Sequence, residues 1–388
     1  MFPFTNTSQI YRDFRKNMPI CDNWAYFDHA AVGPLSGPGL HAVKKWLGEA
    51  AAAGDTVWPQ WKASVERCRA AGARLIGAKP QNVTLVPNTT WGISLVAEGL
   101  DWRAGDNVVF PADEFPSNQY AFLNLTARGV ETRRVEMPPG TLDLAKLLAA
   151  VDSKTRLVSL SWVGYAHGWR TDVAAAVEQI HVRGALVFLD AIQGLGVFPL
   201  DVAQIPVDAL AADGHKWLLG PEGAGYCYLS DNLLDQLRPI GVGWNSVVQG
   251  NDFTRINPEW LPTAARYEGG SLNMAGFLGL GASVELLLEI GIDNIAQRVL
   301  DYTDELVERL RQSGAVICSV REQREHASGI VSFEIPSCDP MQVRAACLSA
   351  GVALSTRAGK LRASPHAYND ESDLEKLLSG LEFARRQG

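Results

Sequence analysis

Long apolar runs are missing from the 388 residues. The most apolar stretches, ALVFLDAIQGLGVFPL and GFLGLGASVELLLEIG, are interrupted by Asp190 and Gln193 and by Glu285. Neither offers the roughly 20 unbroken apolar residues that span a bilayer. The opening MFPFTNTSQIYRDFRKNMP lacks the apolar core of a secretory signal. Runs of Lys and Arg are missing too, and the formal net charge is −8, so neither nucleic acid nor an anionic membrane is an expected partner. Cys21, Cys68, Cys227, Cys318, Cys338 and Cys347 form no CxxC pair and no regular spacing. That argues against disulfides and metal sites, and for free thiols in a cytoplasmic protein. No G-x-G-x-x-G follows an early strand, and NTTWG does not supply one, which disfavours a nicotinamide dehydrogenase.

What is present reads as an α/β protein. The length suits two domains. Residues 1–25 read as an N-terminal arm with a short helix, 26–265 as a large domain and 266–388 as a small α+β domain. Helical patterns cover 36–53 and 58–76. The apolar runs NVTLVP, DNVVFP, VETRRVEM, TRLVSLSWV, ALVFLD and DALAAD then alternate with helices of about ten residues. Such alternation predicts a mostly parallel sheet buried on both faces. It fades after about residue 235. Residues 241–270 read as a long functional loop, 275–313 as helix broken near Gly291, and GIVSFEIP, VALST and KLRASPH as strands of the small domain.

Ligands of open α/β sheets sit at the carboxyl ends of the strands, so the residues there are the candidates. Asn88-Thr89-Thr90 precedes a helix and makes either an anion site or an ordinary cap. Asp190 closes ALVFLD, where a carboxylate could hold a protonated pyridine or cap a turn. Lys216, in ADGHKWLLGPEGAGYCYL, follows a strand and sits beside Trp217. Desolvation there would make it a better nucleophile toward an aldehyde, although most lysines are surface charges. His215 beside it could donate to a phosphate or simply pack. Phe115 in EFPSN could stack on a flat ring or lie in the core. Arg362 in KLRASPHAYN suits a carboxylate or a surface ion pair.

Taken together, these segments resemble the class V aminotransferase group of fold-type I enzymes that use pyridoxal 5'-phosphate (PLP). The resemblance runs from about Tyr26 to Asn369 through YFDHAAVGP, FLDAIQGLGVFPLDV, DALAADGHKWLLGPEGAGY, RYEGGSLN and LRASPHAYN. It implies a large domain with a mostly parallel sheet and a small C-terminal domain. Lys216 would carry the cofactor as a Schiff base and shuttle the α-proton. Asp190 would pair with the pyridine nitrogen, Gln193 with the phenolic oxygen, and Phe115 would cover the ring. Thr89, Thr90 and His215 would bind phosphate, with Ser271 reaching the partner's cofactor in a homodimer. Arg362 would bind the carboxylate of an amino-acid substrate, with His29 and Ala30 nearby. Trp244, Asn245 and Tyr165 are expected around the substrate side chain.

Departures from the family pattern stand out. Asp213 replaces a serine that binds phosphate in many relatives, and is expected to point away. Tyr165 stands where an asparagine is common, and so does His29, which would carry a proton or fill space. GVALSTRAGKLR lacks the cysteine on which desulfurases form a persulfide, which argues against that mechanism. An aminotransferase-type reaction through an external aldimine is therefore the first expectation. The alternatives are a lyase of the kynureninase or selenocysteine-lyase kind, an epimerase resembling isopenicillin N epimerase, and a PLP-fold protein without turnover.

Overall fold

The computed structural model describes residues 9–387. Residues 1–8 of the expected arm lie outside the described residues. The arm's remainder holds α1 (Gln9–Lys16) and β1 (Ala25–Tyr26). Then come α2 (Gly37–Ala53), started by the Ser36 hydroxyl accepting from Gly39 N–H, and α3 (Trp58–Leu75). The next stretch alternates: β2 (Val83–Val86), α4 (Thr89–Gly99), β3 (Asn107–Pro111), α5 (Pro116–Leu123), β4 (Glu131–Val135), α6 (Leu144–Ala149), β5 (Thr155–Ser161), α7 (Val173–His181) and β6 (Leu186–Asp190). It closes with β7 (Ala209–Asp213), β8 (Gly225–Leu229) and α8 (Asp231–Gln236).

Strands β2 to β8 form one sheet in the order β2-β8-β7-β6-β5-β3-β4. All its pairs are parallel except those of β8, which runs against β7 and β2. Alternate residues feed two separate cores: Val187 and Leu189 pack on one face, Phe188 on the other. Covering both faces explains the continuous apolar runs in the sequence. It also brings the carboxyl ends of β3, β5, β6 and β7 side by side.

The C-terminal part holds α9 (Met274–Ile290), α10 (Ile292–Gln312), β9 (Val316–Ile317), β10 (Val331–Glu334), α11 (Pro340–Ser349), β11 (Val352–Ala353), β12 (Ser355–Arg357), β13 (Lys360–Ala363) and α12 (Glu371–Gln387). Four strands make an antiparallel sheet ordered β12-β13-β10-β9. Two features differ from the expected division at 265. Helix α9 packs on α2 and α3 of the large part. At the other end, β1 pairs in parallel with β11, Asp28 bridges Ser364, and Ala25 and Phe27 join the core of Phe333 and Leu361. The segment after residue 25 is thus woven into the C-terminal core. Among the described residues no single helix is long and apolar enough to cross a membrane.

Candidate active site

Lys216 lies in the tight turn after β7. Leu219 N–H closes that turn on the Lys216 carbonyl at 3.2 Å, and Leu219 adopts a left-handed φ of 56°. A side chain rarely takes that conformation unless its surroundings hold it there. Gly33 runs so close that any Cβ would overlap the Lys216 carbonyl, while its N–H donates to His215 O at 2.6 Å. The lysine side chain is buried, and burial pushes its pKa down to about 8 against the pull of Asp190. Its Nζ lies 5.7 Å from the centroid of the Phe115 ring. Phe115 in turn meets Tyr165 edge-on, with centroids 5.3 Å apart.

Asp190 ends β6 and is buried. Its Oδ1 accepts from Ile192 N–H at 3.1 Å and its Oδ2 from Asn118 Nδ2 at 2.8 Å. Burial raises its pKa, partly offset by these donors and by Lys216. Gln193 is fixed at both ends: Trp217 Nε1 donates to its Oε1 at 2.8 Å, and its Nε2 donates to Ala30 O at 3.0 Å. A primary amide carries a second hydrogen on Nε2, available to a further acceptor. Ala30 therefore acts through its carbonyl on Gln193, not as a lining side chain.

Arg362 on β13 is almost fully buried. Its Nη1 donates to Tyr165 O at 2.6 Å and its Nε to Ser355 Oγ at 3.2 Å, while Nη2 stands 3.6 Å from Asp28 Oδ1 with no hydrogen bond. Burial pushes this guanidinium down to about 10. A buried, unpaired N–H on an arginine fork is costly unless a ligand takes it up. A substrate carboxylate is such a ligand.

At the start of α4, Asn88 caps Trp91 N–H at 2.9 Å. The Thr89 hydroxyl accepts from Asp213 N–H at 3.0 Å, and the Thr90 hydroxyl meets Ser117 at 2.8 Å. The Asp213 carboxylate turns back on Gly214 N–H at 2.7 Å. Its other oxygen lies 2.9 Å from His215 Nδ1, at an angle too poor for a hydrogen bond, so that nitrogen is buried without one. The threonine hydroxyls and the helix N-terminus form a donor set for an anion.

His29 is fully buried, with Nδ1 2.8 Å from Ser364 O and Nε2 2.7 Å from Tyr368 Oη, and its ring stacks on Trp217. Burial holds it well below the usual histidine range. Both ring nitrogens are thus engaged within the fold. Trp244 is 39% exposed and packs edge-on against Phe253. Ser271 is exposed in the loop before α9.

Sequence reasoning quoted the EFPSN segment but gave Glu114 and Asn118 no role. Glu114 is buried behind Asn118, which donates to it at 2.9 Å, and Ser161 at the end of β5 donates to it through N–H at 2.6 Å and through its hydroxyl. The available signal was spacing: Glu and Asn four apart across a helix start meet on one side.

The profile described as Aminotransferase class-V matches residues 25–377. The chain belongs to the class V aminotransferase family. A probable cysteine desulfurase of Methanothermobacter thermautotrophicus is 31% identical, with 95% of this chain and 97% of that protein covered. Among solved structures, the complex of the cystine C–S lyase C-DES with its reaction product cysteine persulfide is 25% identical, with a TM-score of 0.87 over 94% of this chain and 98% of that one. A C-DES mutant with glycine covalently linked to the PLP cofactor is also 25% identical, with a TM-score of 0.89 over 95% of this chain and 98% of that one. The fold is that of the fold-type I PLP enzymes, and PLP is the cofactor of this class V enzyme. The site fits it: Thr89 and Thr90 open a helix N-terminus beside β7, Asp190 is buried at a strand end, and the desolvated Lys216 lies near the Phe115 ring.

Proposed function

We propose that the enzyme is a lyase. It breaks the Cβ–S bond of a cysteine-derived amino acid and releases the sulfur on a small molecule, with no enzyme thiol involved. The observation that carries this reading is the β12–β13 hairpin beside Arg362: residues 352–363 contain no cysteine. Elsewhere, burial pushes Cys68 and Cys227 up to about 12 and Cys347 to about 11, and Cys21 also to about 12. No such thiol is an activated nucleophile. The names of the relatives, desulfurases and a cystine C–S lyase, support C–S cleavage. Together these favour elimination over the aminotransferase-type reaction first expected. Epimerisation would want a second base, and His29 has no free nitrogen to serve as one.

PLP, when bound, supplies an aldehyde for the substrate amine and a ring that accepts electron density from the α-carbon. Arg362 Nη2 takes the substrate carboxylate and fixes which bond at Cα stands over the ring. Asp190 holds a proton on the ring nitrogen, and Phe115 shields the face. Lys216 Nζ, with its lowered pKa, removes the α-proton and then offers that proton to the departing sulfur. The bonding pair of Cβ–S leaves with sulfur. With one water, the products are a thiol or persulfide, pyruvate and ammonium.

Incubation of the holoenzyme with L-cystine and S-substituted cysteines should release pyruvate and thiol or persulfide in equal amounts, with no protein-bound persulfide by intact mass. Alanine with a persulfidated protein, or amine transfer dependent on an added keto acid without pyruvate, would reject the proposal. The reading includes a homodimer in which Ser271 reaches the partner's phosphate. Ser271→Ala is then expected to weaken PLP binding ~10-fold without changing the mass seen by light scattering. A monomer with full cofactor affinity removes Ser271 from the site.

A further inference from the structure

Behind Asp190 lies a second buried carboxylate for which the reaction above has no use. Glu114 follows β3, Ser161 ends β5 and Asp190 ends β6, three neighbouring parallel strands whose carboxyl ends meet here. Asn118 of α5 spans the gap. Its single Nδ2 donates to Glu114 Oε2 at 2.9 Å and to Asp190 Oδ2 at 2.8 Å, while its Oδ1 is buried without a partner. Ser161 N–H donates to Glu114 Oε1 at 2.6 Å, and the Ser161 hydroxyl meets Oε2, donating to the carboxylate or accepting from its protonated form.

The charges around this chain of groups do not balance. Asp190 is the charged group acting on Glu114; Ser161 and Asn118 are neutral. Lys216 acts on Asp190 from the far side. In the cofactor-free protein one positive charge, on Lys216, therefore faces two buried carboxylates. Two anions joined by one amide, in a desolvated place with one cation, cannot both be ionised cheaply. Asp190 lies nearer the cation and keeps its charge. Glu114 is the group left to carry a proton, and burial with its anionic neighbour pushes it up to about 7.

We propose that Glu114 is a positioning residue for the cofactor's ring nitrogen, acting through Asn118 to set how strongly Asp190 competes for the ring proton. With Glu114 protonated, Asp190 is a weak base and the proton stays on the ring nitrogen. When Glu114 ionises, releasing its proton to solvent, the added negative charge makes Asp190 more basic. The shared proton then moves from ring nitrogen toward carboxylate, and the ring becomes a poorer electron sink. This inference rests on the assignment of Asp190 to the ring nitrogen and not on the leaving group.

The test uses holoenzyme loaded with PLP labelled with ¹⁵N in the ring, without substrate. In the wild type, the ring ¹⁵N shift should move toward the unprotonated value in one step centred near pH 7. Glu114→Gln, a neutral isostere, should hold the protonated shift across that range, and Glu114→Asp should restore a step. A wild-type step in Glu114→Gln overturns the proposal. If Glu114→Gln does not fold, Asn118→Ala cuts the bridge while keeping Glu114; it should remove the step, and an unchanged step overturns the proposal equally. Asp190→Asn separates the two levels. If it leaves the ring shift unaltered, the Asp190 assignment itself fails. If it abolishes the protonated shift while Glu114→Gln changes nothing, only the role of Glu114 fails.

Discussion

Lys216→Ala should lower turnover by at least ~10³-fold and abolish borohydride fixation of the cofactor to the chain. A Lys216→Ala protein that still fixes cofactor at the wild-type level would place the Schiff base elsewhere. The same position should show a second, opposite effect in the cofactor-free protein. The Lys216 pKa lies near 8 in the fold and near 10.5 when exposed. The unfolded chain therefore binds the proton more tightly, and stability rises with pH between those values. Below about pH 8 the whole penalty of burying an ammonium is present. Lys216→Met should consequently stabilise the apoprotein at pH 7 by up to ~3 kcal/mol. The gain should shrink as pH rises from 8 toward 10.5, and Asp190, deprived of its cation, trims it by taking up a proton. Urea denaturation of both apoproteins across that range is the measurement. A variant no more stable than wild type at pH 7 would mean that the lysine is not desolvated as described.

Arg362→Lys should raise the dissociation constant for amino-acid ligands by ~30- to 100-fold. Lysine keeps the charge but cannot serve Tyr165 O, Ser355 Oγ and a carboxylate from one planar fork. Amines that lack a carboxylate, such as cysteamine, should bind wild type and variant alike, because they never use Nη2. Spectral titration of the holoenzyme with matched amino acids and amines reads this directly. Equal losses for both ligand types would show that Arg362 shapes the cleft and does not grip the carboxylate.

The parts of the fold and site carried by local patterning were legible in the chain. Ser36 and the apolar period place α2 within a residue of the expected 36–53, and Gly291 breaks α9 from α10 where the helical stretch was expected to break. The ends of β6 and β7 were legible because a strand announces itself as an apolar run closed by a polar residue, Asp190 and Asp213 here. The rest depended on contacts distant in sequence. Nothing local to His29 shows that Ser364 and Tyr368, more than 300 residues on, take both of its nitrogens. Likewise nothing local marked Glu114, because Ser161 and Asp190 come near it only once β3, β5 and β6 lie side by side. The expected division at 265 was drawn within the long loop that follows the alternation, but α9 follows packing and sides with α2 and α3.

The pairing of β1 with β11 has a consequence for the order in which the molecule is made. Residues 25–28 leave the ribosome long before their partners at 352–364. The large sheet can form meanwhile, since its strands follow one another in the chain. The stretch that carries Asp28, Ala30 and Gly33 must wait unpaired. Both the grip on Arg362 and the seat of Gln193 are therefore completed last, so a nascent chain halted before residue 352 would hold a built sheet and no working site.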